Sequence, residues 1–164
     1  HPFSRELWGR NWTYAHNGQL LGYPSLPVER FRPVGTTDSE RAFCYLLSQL
    51  DKRYPKPPSK RLSAFNFLRR EAANLRQFGV FNILISDGEY LLAFCTTKLQ
   101  WITRRAPFGR ATLSDIDVNI DFAKETTPHD VVTIIATEPL TCNEKWHKMT
   151  PGEGQLFRFG EPLR

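Results

Sequence analysis

Residues 80–95, Val-Phe-Asn-Ile-Leu-Ile-Ser-Asp-Gly-Glu-Tyr-Leu-Leu-Ala-Phe-Cys, constrain the fold more than any other stretch of this chain. Two apolar runs flank an Asp87-Gly88 pair, the signature of a β-hairpin closed by a tight turn. Neither run alternates apolar with polar residues, so both faces of the sheet that holds them must be covered. Residues 100–104 and 131–136 read as further strands, and 155–159 as a short last one with alternation.

Two helical patterns are available to cover one face. Phe43, Leu46, Leu47, Leu50 and Tyr54 form an apolar stripe over 38–54, stopped by Pro55. Thr37 and Glu40 ahead of it have the spacing of a reciprocal capping box. A second helix carries Leu62, Phe65, Leu68, Ala72 and Leu75 on one side and Arg69, Arg70, Glu71 and Arg76 on the other, with Gly79 expected as its left-handed cap. Two helices cover one face only, so another layer must cover the other. Residues 1–10 read as loop with one helical turn, 11–16 as a strand, and Asn17-Gly18 as the turn that ends it. Residues 111–128, with Asp115, Asp117 and Asp121, read as an edge strand or loop, because the glycine and glutamate of a calcium loop are not at their spacing.

Composition narrows the function. The chain has 164 residues and the length of one domain. Its net charge of +5 invites a nucleic-acid reading, but the basic residues occur as scattered pairs such as Lys52-Arg53 and Arg104-Arg105, without stacking motifs. Neither nucleic acid nor membrane is expected as a partner, since no apolar run approaches spanning length. Cys44, Cys95 and Cys142 are dispersed and odd in number, which fits reduced thiols in the cytoplasm and no structural zinc. A copper site built from His1 with His16, His129 or His147 would require a secreted, disulfide-bearing protein, so no metal or cofactor is expected.

Two places carry candidate chemistry. Asn17-Gly18 offers a side-chain amide and a backbone N–H on one patch, as an oxyanion hole needs, although most such pairs only close hairpins. Asp38, in a first helical turn, is placed to stay ionised and bind a cation, or merely to decorate the helix start.

The order His16-Asn17-Gly18, Thr37-Asp38-Ser39-Glu40, the apolar hairpin, Ala136-Thr137-Glu138-Pro139-Leu140 and Pro151-Gly152-Glu153 resembles the class II glutamine amidotransferases of YafJ type, over essentially the whole chain. The resemblance implies an α+β fold, the four-layer αββα sandwich of the N-terminal-nucleophile (Ntn) hydrolases. It also implies hydrolysis of glutamine, or a related γ-glutamyl compound, through a cysteine thioester. Asn17 and Gly18 would hold the oxyanion and Asp38 the substrate α-ammonium. The family's N-terminal cysteine and its carboxylate-gripping arginine have no counterpart here, and no internal cysteine has a free α-amino group to replace the former. Residues 1–164 are therefore expected to be the C-terminal portion of a single domain, incomplete at the N-terminus and inactive alone. Its partner would be an ammonia-accepting protein or a second copy of the chain. The alternative is a non-catalytic glutamine-binding or subunit-interaction module.

Overall fold

The computed structural model describes residues 2–108, 110–114, 119–121, 127 and 129–163. It begins with a hairpin, β1 (Phe3–Leu7) and β2 (Arg10–Leu20), where a loop was expected. The turn is Trp8-Gly9, with φ of 61° and 73°. Positive φ at both central residues gives the turn a twist that matches the strands. Tryptophan is an unusual choice there, so composition conceals the turn.

Asn17-Gly18 is not a turn. Both lie inside β2, opposite Asn82 and Phe81 of β3 (Gly79–Ser86), and the antiparallel pairing continues to Leu20 and Gly79. Two glycines allow the strands to run this close. A Cβ on Gly18 would lie 2.0 Å from the Val80 carbonyl oxygen, and one on Gly79 would lie 2.2 Å from that of Gln19. Gly79 has φ 144° and ψ −153°, so it opens β3 and does not form the expected left-handed cap. The second helix, α2 (Arg61–Leu75), ends instead in a 3₁₀ turn, Arg76–Phe78.

The hairpin from β3 to β4 (Tyr90–Phe94) forms as expected. At its turn Asp87 is buried, accepts the N–H groups of Glu89 and Tyr90, and pairs with Arg61 at 2.5 Å. Leaving that carboxylate without its arginine would cost on the order of 3–5 kcal/mol, more than an exposed ion pair is worth.

Among the described residues five further strands complete two sheets: β5 (Gln100–Arg105), β8 (Val131–Ala136), β9 (His147–Lys148), β10 (Gly154–Arg158) and β11 (Glu161–Pro162). The larger sheet has six strands in the order β1-β2-β3-β4-β10-β11; the smaller has three, with β5 between β8 and β9. Between 106 and 130 a separate ribbon pairs β6 (Arg110–Thr112) with β7 (Asn119–Asp121), so Asp121 is in a strand. Asp115, Asp117 and His1 lie outside the described residues.

The large sheet is covered on both faces, as the unbroken apolar runs require. On one face, α1 (Asp38–Arg53) and α2 bury Trp12 against Phe65 and Tyr14 against Phe43, with ring centroids 5.4 and 5.0 Å apart. On the other, Ala93, Cys95 and Phe157 meet Leu99, Met149, Trp101 and Ile135 of the small-sheet layer. The described residues thus supply a helical layer and two sheets. No helix among them is long and apolar enough to cross a membrane.

At the start of α1 the capping box is only half made. Thr37 Oγ1 accepts the Glu40 N–H at 3.2 Å, but the Glu40 carboxylate turns to the N–H groups of Val34 and Gly35 and to Arg5. Three partners there outcompete the single N–H of a capping box. Burial would raise the pKa of Glu40, but the Val34 and Gly35 N–H groups and the Arg5 guanidinium together hold it below the ordinary 4.5. A lowered folded-state pKa stabilises the fold above the ordinary value and ceases to do so as pH falls through the folded-state value. Glu40→Gln should therefore lower the urea midpoint at pH 7, and the gap from the parent should close below pH 4.5.

Candidate active site

Side chains alternate along β2. Trp12, Tyr14 and His16 face the helices, so Asn17 stands on the opposite face, beside Asn82. Asn17 and Gly18 are exposed, although the strand that carries them is paired with β3 from Thr13 to Leu20.

The direction of the Gly18 N–H follows from its neighbours. Phe81, opposite Gly18, gives its own N–H to Thr96 Oγ1 at 2.7 Å, away from β2. Opposite residues of an antiparallel pair turn together, so the Gly18 N–H points off the outer edge of β2. Leu20, two residues on, has the same orientation, and its N–H meets Asp38 Oδ2 at 2.8 Å. The pairing of β1 stops at Phe3, opposite Tyr14, farther back along that edge.

Asp38 is half-buried at the first position of α1. Its Oδ1 accepts the Ser39 N–H at 2.8 Å, while Oδ2 is held by Leu20. One carboxylate therefore joins helix to strand. Its charge also reaches the buried Tyr14 hydroxyl, whose pKa is raised chiefly by burial and further by Asp38. The three residues singled out in the sequence come together: Asn17, Gly18 and Asp38 share the terminal part of β2 and the helix end docked against it.

Several residues that hold this arrangement were not singled out for it. Asn82 is 4% exposed, and its amide makes four hydrogen bonds. It donates to the Asn17 carbonyl and Thr97 Oγ1, and accepts the N–H groups of Thr96 and Thr97. The backbone of Asn17 is thereby tied to the turn that follows β4. A lone amide within an apolar run was the available signal. His16 contributes to the site as a clamp: Nε2 meets the Val80 carbonyl at 3.0 Å and Nδ1 meets Ser39 Oγ at 2.8 Å. Among the described residues no group of three His, Cys, Asp or Glu could hold a metal ion.

Two of the cysteines are poor nucleophiles by environment. Cys44 and Cys95 are buried, and burial pushes both thiols up. Cys142 is exposed and bonds the Thr112 carbonyl, on a segment remote in sequence from Asn17 and Asp38.

Gly18 admits no side chain. Gly18→Ala should destabilise the fold by at least about 2 kcal/mol, since strain at positive φ adds to the clash with Val80. Hydrogen exchange should locate the damage, with faster exchange at the amides of 79–82 than in α2.

Residues 1–164 match the family described as class-II glutamine amidotransferases. YafJ of Escherichia coli (strain K12), which carries the name of a glutamine amidotransferase, is 63% identical over 161 residues, spanning 98% of this chain and 63% of YafJ. A Haemophilus influenzae (strain ATCC 51907 / DSM 11121 / KW20 / Rd) protein with the same type of name is 43% identical over 163 residues, 99% of this chain and 55% of its own length. The chain thus spans less than two thirds of these relatives. The 2.0 Å crystal structure of a predicted glutamine amidotransferase from Pseudomonas aeruginosa PA01 superposes with a TM-score of 0.88 at 52% identity, covering 100% of this chain and 64% of that one. A glutamine aminotransferase class-II domain protein from Silicibacter pomeroyi, 19% identical with a TM-score of 0.56, shares the fold. This chain belongs to the class II glutamine amidotransferases, and its likeness is to the YafJ type.

Proposed function

We propose that the protein carrying this chain hydrolyses the side-chain amide of glutamine to glutamate and ammonia, with Asn17 and Gly18 as oxyanion donors and Asp38 as acceptor of the substrate α-ammonium. One observation carries the reading. The outward N–H groups of the β2 edge and the Asp38 carboxylate meet at a single junction, the Leu20 N–H to Asp38 Oδ2 bond of 2.8 Å. A glutamine lying along that edge would place its amide by Gly18 and its ammonium by Asp38.

In this reading a cysteine thiolate attacks the amide carbon, and the carbonyl electrons move onto oxygen. Asn17 Nδ2–H and the Gly18 N–H receive that developing charge, as preorganised donors do in acyl transfer. Collapse expels ammonia, protonated by the base that took the thiol proton, and leaves a thioester. Water attacks the thioester through a second oxyanion in the same hole, which releases glutamate and restores the thiol. The reading assigns the nucleophile to the N-terminal cysteine of the family pattern, outside this chain, and its base to that residue's own α-amine. The buried state of Cys44 and Cys95 supports that assignment. On the same reading, the helices and two sheets are three layers of the four-layer Ntn sandwich.

Ammonia would pass to an acceptor on a partner protein or to solvent. The three free cysteines support a cytoplasmic setting.

Asn17→Ala in the active protein should lower glutamine turnover about 10²–10³-fold, the usual loss for one oxyanion donor. Glutamate release by the purified protein measures it, with the melting temperature as a control for folding. Full turnover in Asn17→Ala would end the assignment.

A further inference from the structure

Asp38 does not stand alone on the helix end. Ser39, the next residue, is 5% exposed and fixed from both directions. Its N–H donates to Asp38 Oδ1 at 2.8 Å, and its hydroxyl lies 2.8 Å from His16 Nδ1. The other ring nitrogen of His16 bonds the Val80 carbonyl at 3.0 Å. A carbonyl only accepts, so Nε2 carries the proton, and in the neutral ring Nδ1 is left to accept the Ser39 hydroxyl hydrogen. The 3.3 Å approach of the same hydroxyl to Asp38 Oδ1 is longer, so the Ser39 O–H donates its hydrogen bond to His16 Nδ1.

The first turn of α1 is therefore pinned to β2 at two points, Asp38 to Leu20 and Ser39 to His16. The imidazole also lies directly beside Gly18: a Cβ built there would come within 2.9 Å of His16 Nε2. The spacing between the Gly18 N–H and the Asp38 carboxylate is the distance a substrate must span, and it is set by the lateral position of this helix end on this strand. With the Ser39 pin removed, the carboxylate keeps its charge and its two backbone donors but loses one of the two constraints on where it stands.

We infer that Ser39, clamped by His16, is a positioning residue that sets selectivity for amides bearing an α-ammonium group. This rests on the proposed role of Asp38. Ser39 touches no reacting atom; it acts on the ammonium end of the site and leaves the oxyanion donors in place.

The test compares glutamine with glutaramate, which has the same amide and carboxylate but no α-amino group. Parent, Ser39→Ala and Asp38→Asn forms of the active protein are assayed with both amides, and their melting temperatures are recorded. Ser39→Ala should raise KM for glutamine about tenfold with kcat little changed, the size of one hydrogen bond to a charged group, while its kinetics with glutaramate stay at the parent level. Because both amides are turned over by one preparation, a folding defect would reduce both together. An equal loss on both amides, or no loss on either, overturns the inference. Asp38→Asn separates the two levels of the argument. Should it lose the preference for glutamine while Ser39→Ala keeps it, the positioning role is overturned and the role of Asp38 stands. Should Asp38→Asn keep the preference, both are overturned.

Discussion

The close pairing of β2 with β3 is the contact on which the rest of this structure depends. It runs from Thr13 opposite Ser86 to Leu20 opposite Gly79, and its far end is passable only because Gly18 and Gly79 carry no side chains. Ordinary residues at those positions would force the strands apart, and three things would be lost together. Asn82 could no longer reach the Asn17 carbonyl. The Gly18 N–H would no longer be aimed off the edge. Leu20 would not meet Asp38, and α1 would have one anchor fewer on the sheet.

This arrangement divides labour between the two faces of one strand. Trp12 and Tyr14, which face the helices from β2, are large and buried, and their stacking on Phe65 and Phe43 contributes roughly 0.5–1.5 kcal/mol per pair beyond burial itself. The alternate residues and the outward amides stay accessible. A strand fastened firmly by one face and one edge can present the other edge with little freedom, which is the condition for preorganised donors. The buried amide of Asn82 serves the same end: a one-residue slip of β3 would carry it to the helix face and strand its four hydrogen bonds.

Much of this was legible in the order of residues, for reasons that can be named. The apolar runs around Asp87-Gly88 demanded cover on both faces, and helices and a second sheet provide it. The stripe from Phe43 to Leu50 predicted α1, and all four of its members within that range are fully buried. What escaped were features decided by distant partners. Asn-Gly is the strongest local signal for a turn, yet β3 drew it into a ladder, because eight paired residues outweigh one local preference. Trp8-Gly9 took the turn with no local signal to announce it. Glu40 left its capping position for Arg5, 35 residues away in sequence, and no spacing rule reports such a partner. Asn17, Gly18 and Asp38, the residues proposed for the site, were singled out through their order along the chain. His16, Ser39 and Asn82 were not, because their part is to hold backbone, and that becomes apparent only when the strands and helix are in place.

The two backbone bonds on Asp38 also bear on what it can recognise. A carboxylate has about four acceptor directions, and here one on each oxygen is already taken by the chain itself, through Ser39 on one and Leu20 on the other. What is left is a narrow, oriented sector. Calcium takes six to eight oxygens and magnesium an octahedron, which one half-committed carboxylate cannot begin to supply. An ammonium group needs only one or two acceptors per side and meets them along N–H directions. In the role proposed for Asp38, the same two bonds that dock a helix on a strand would favour a hydrogen-bonding cation over a bare one.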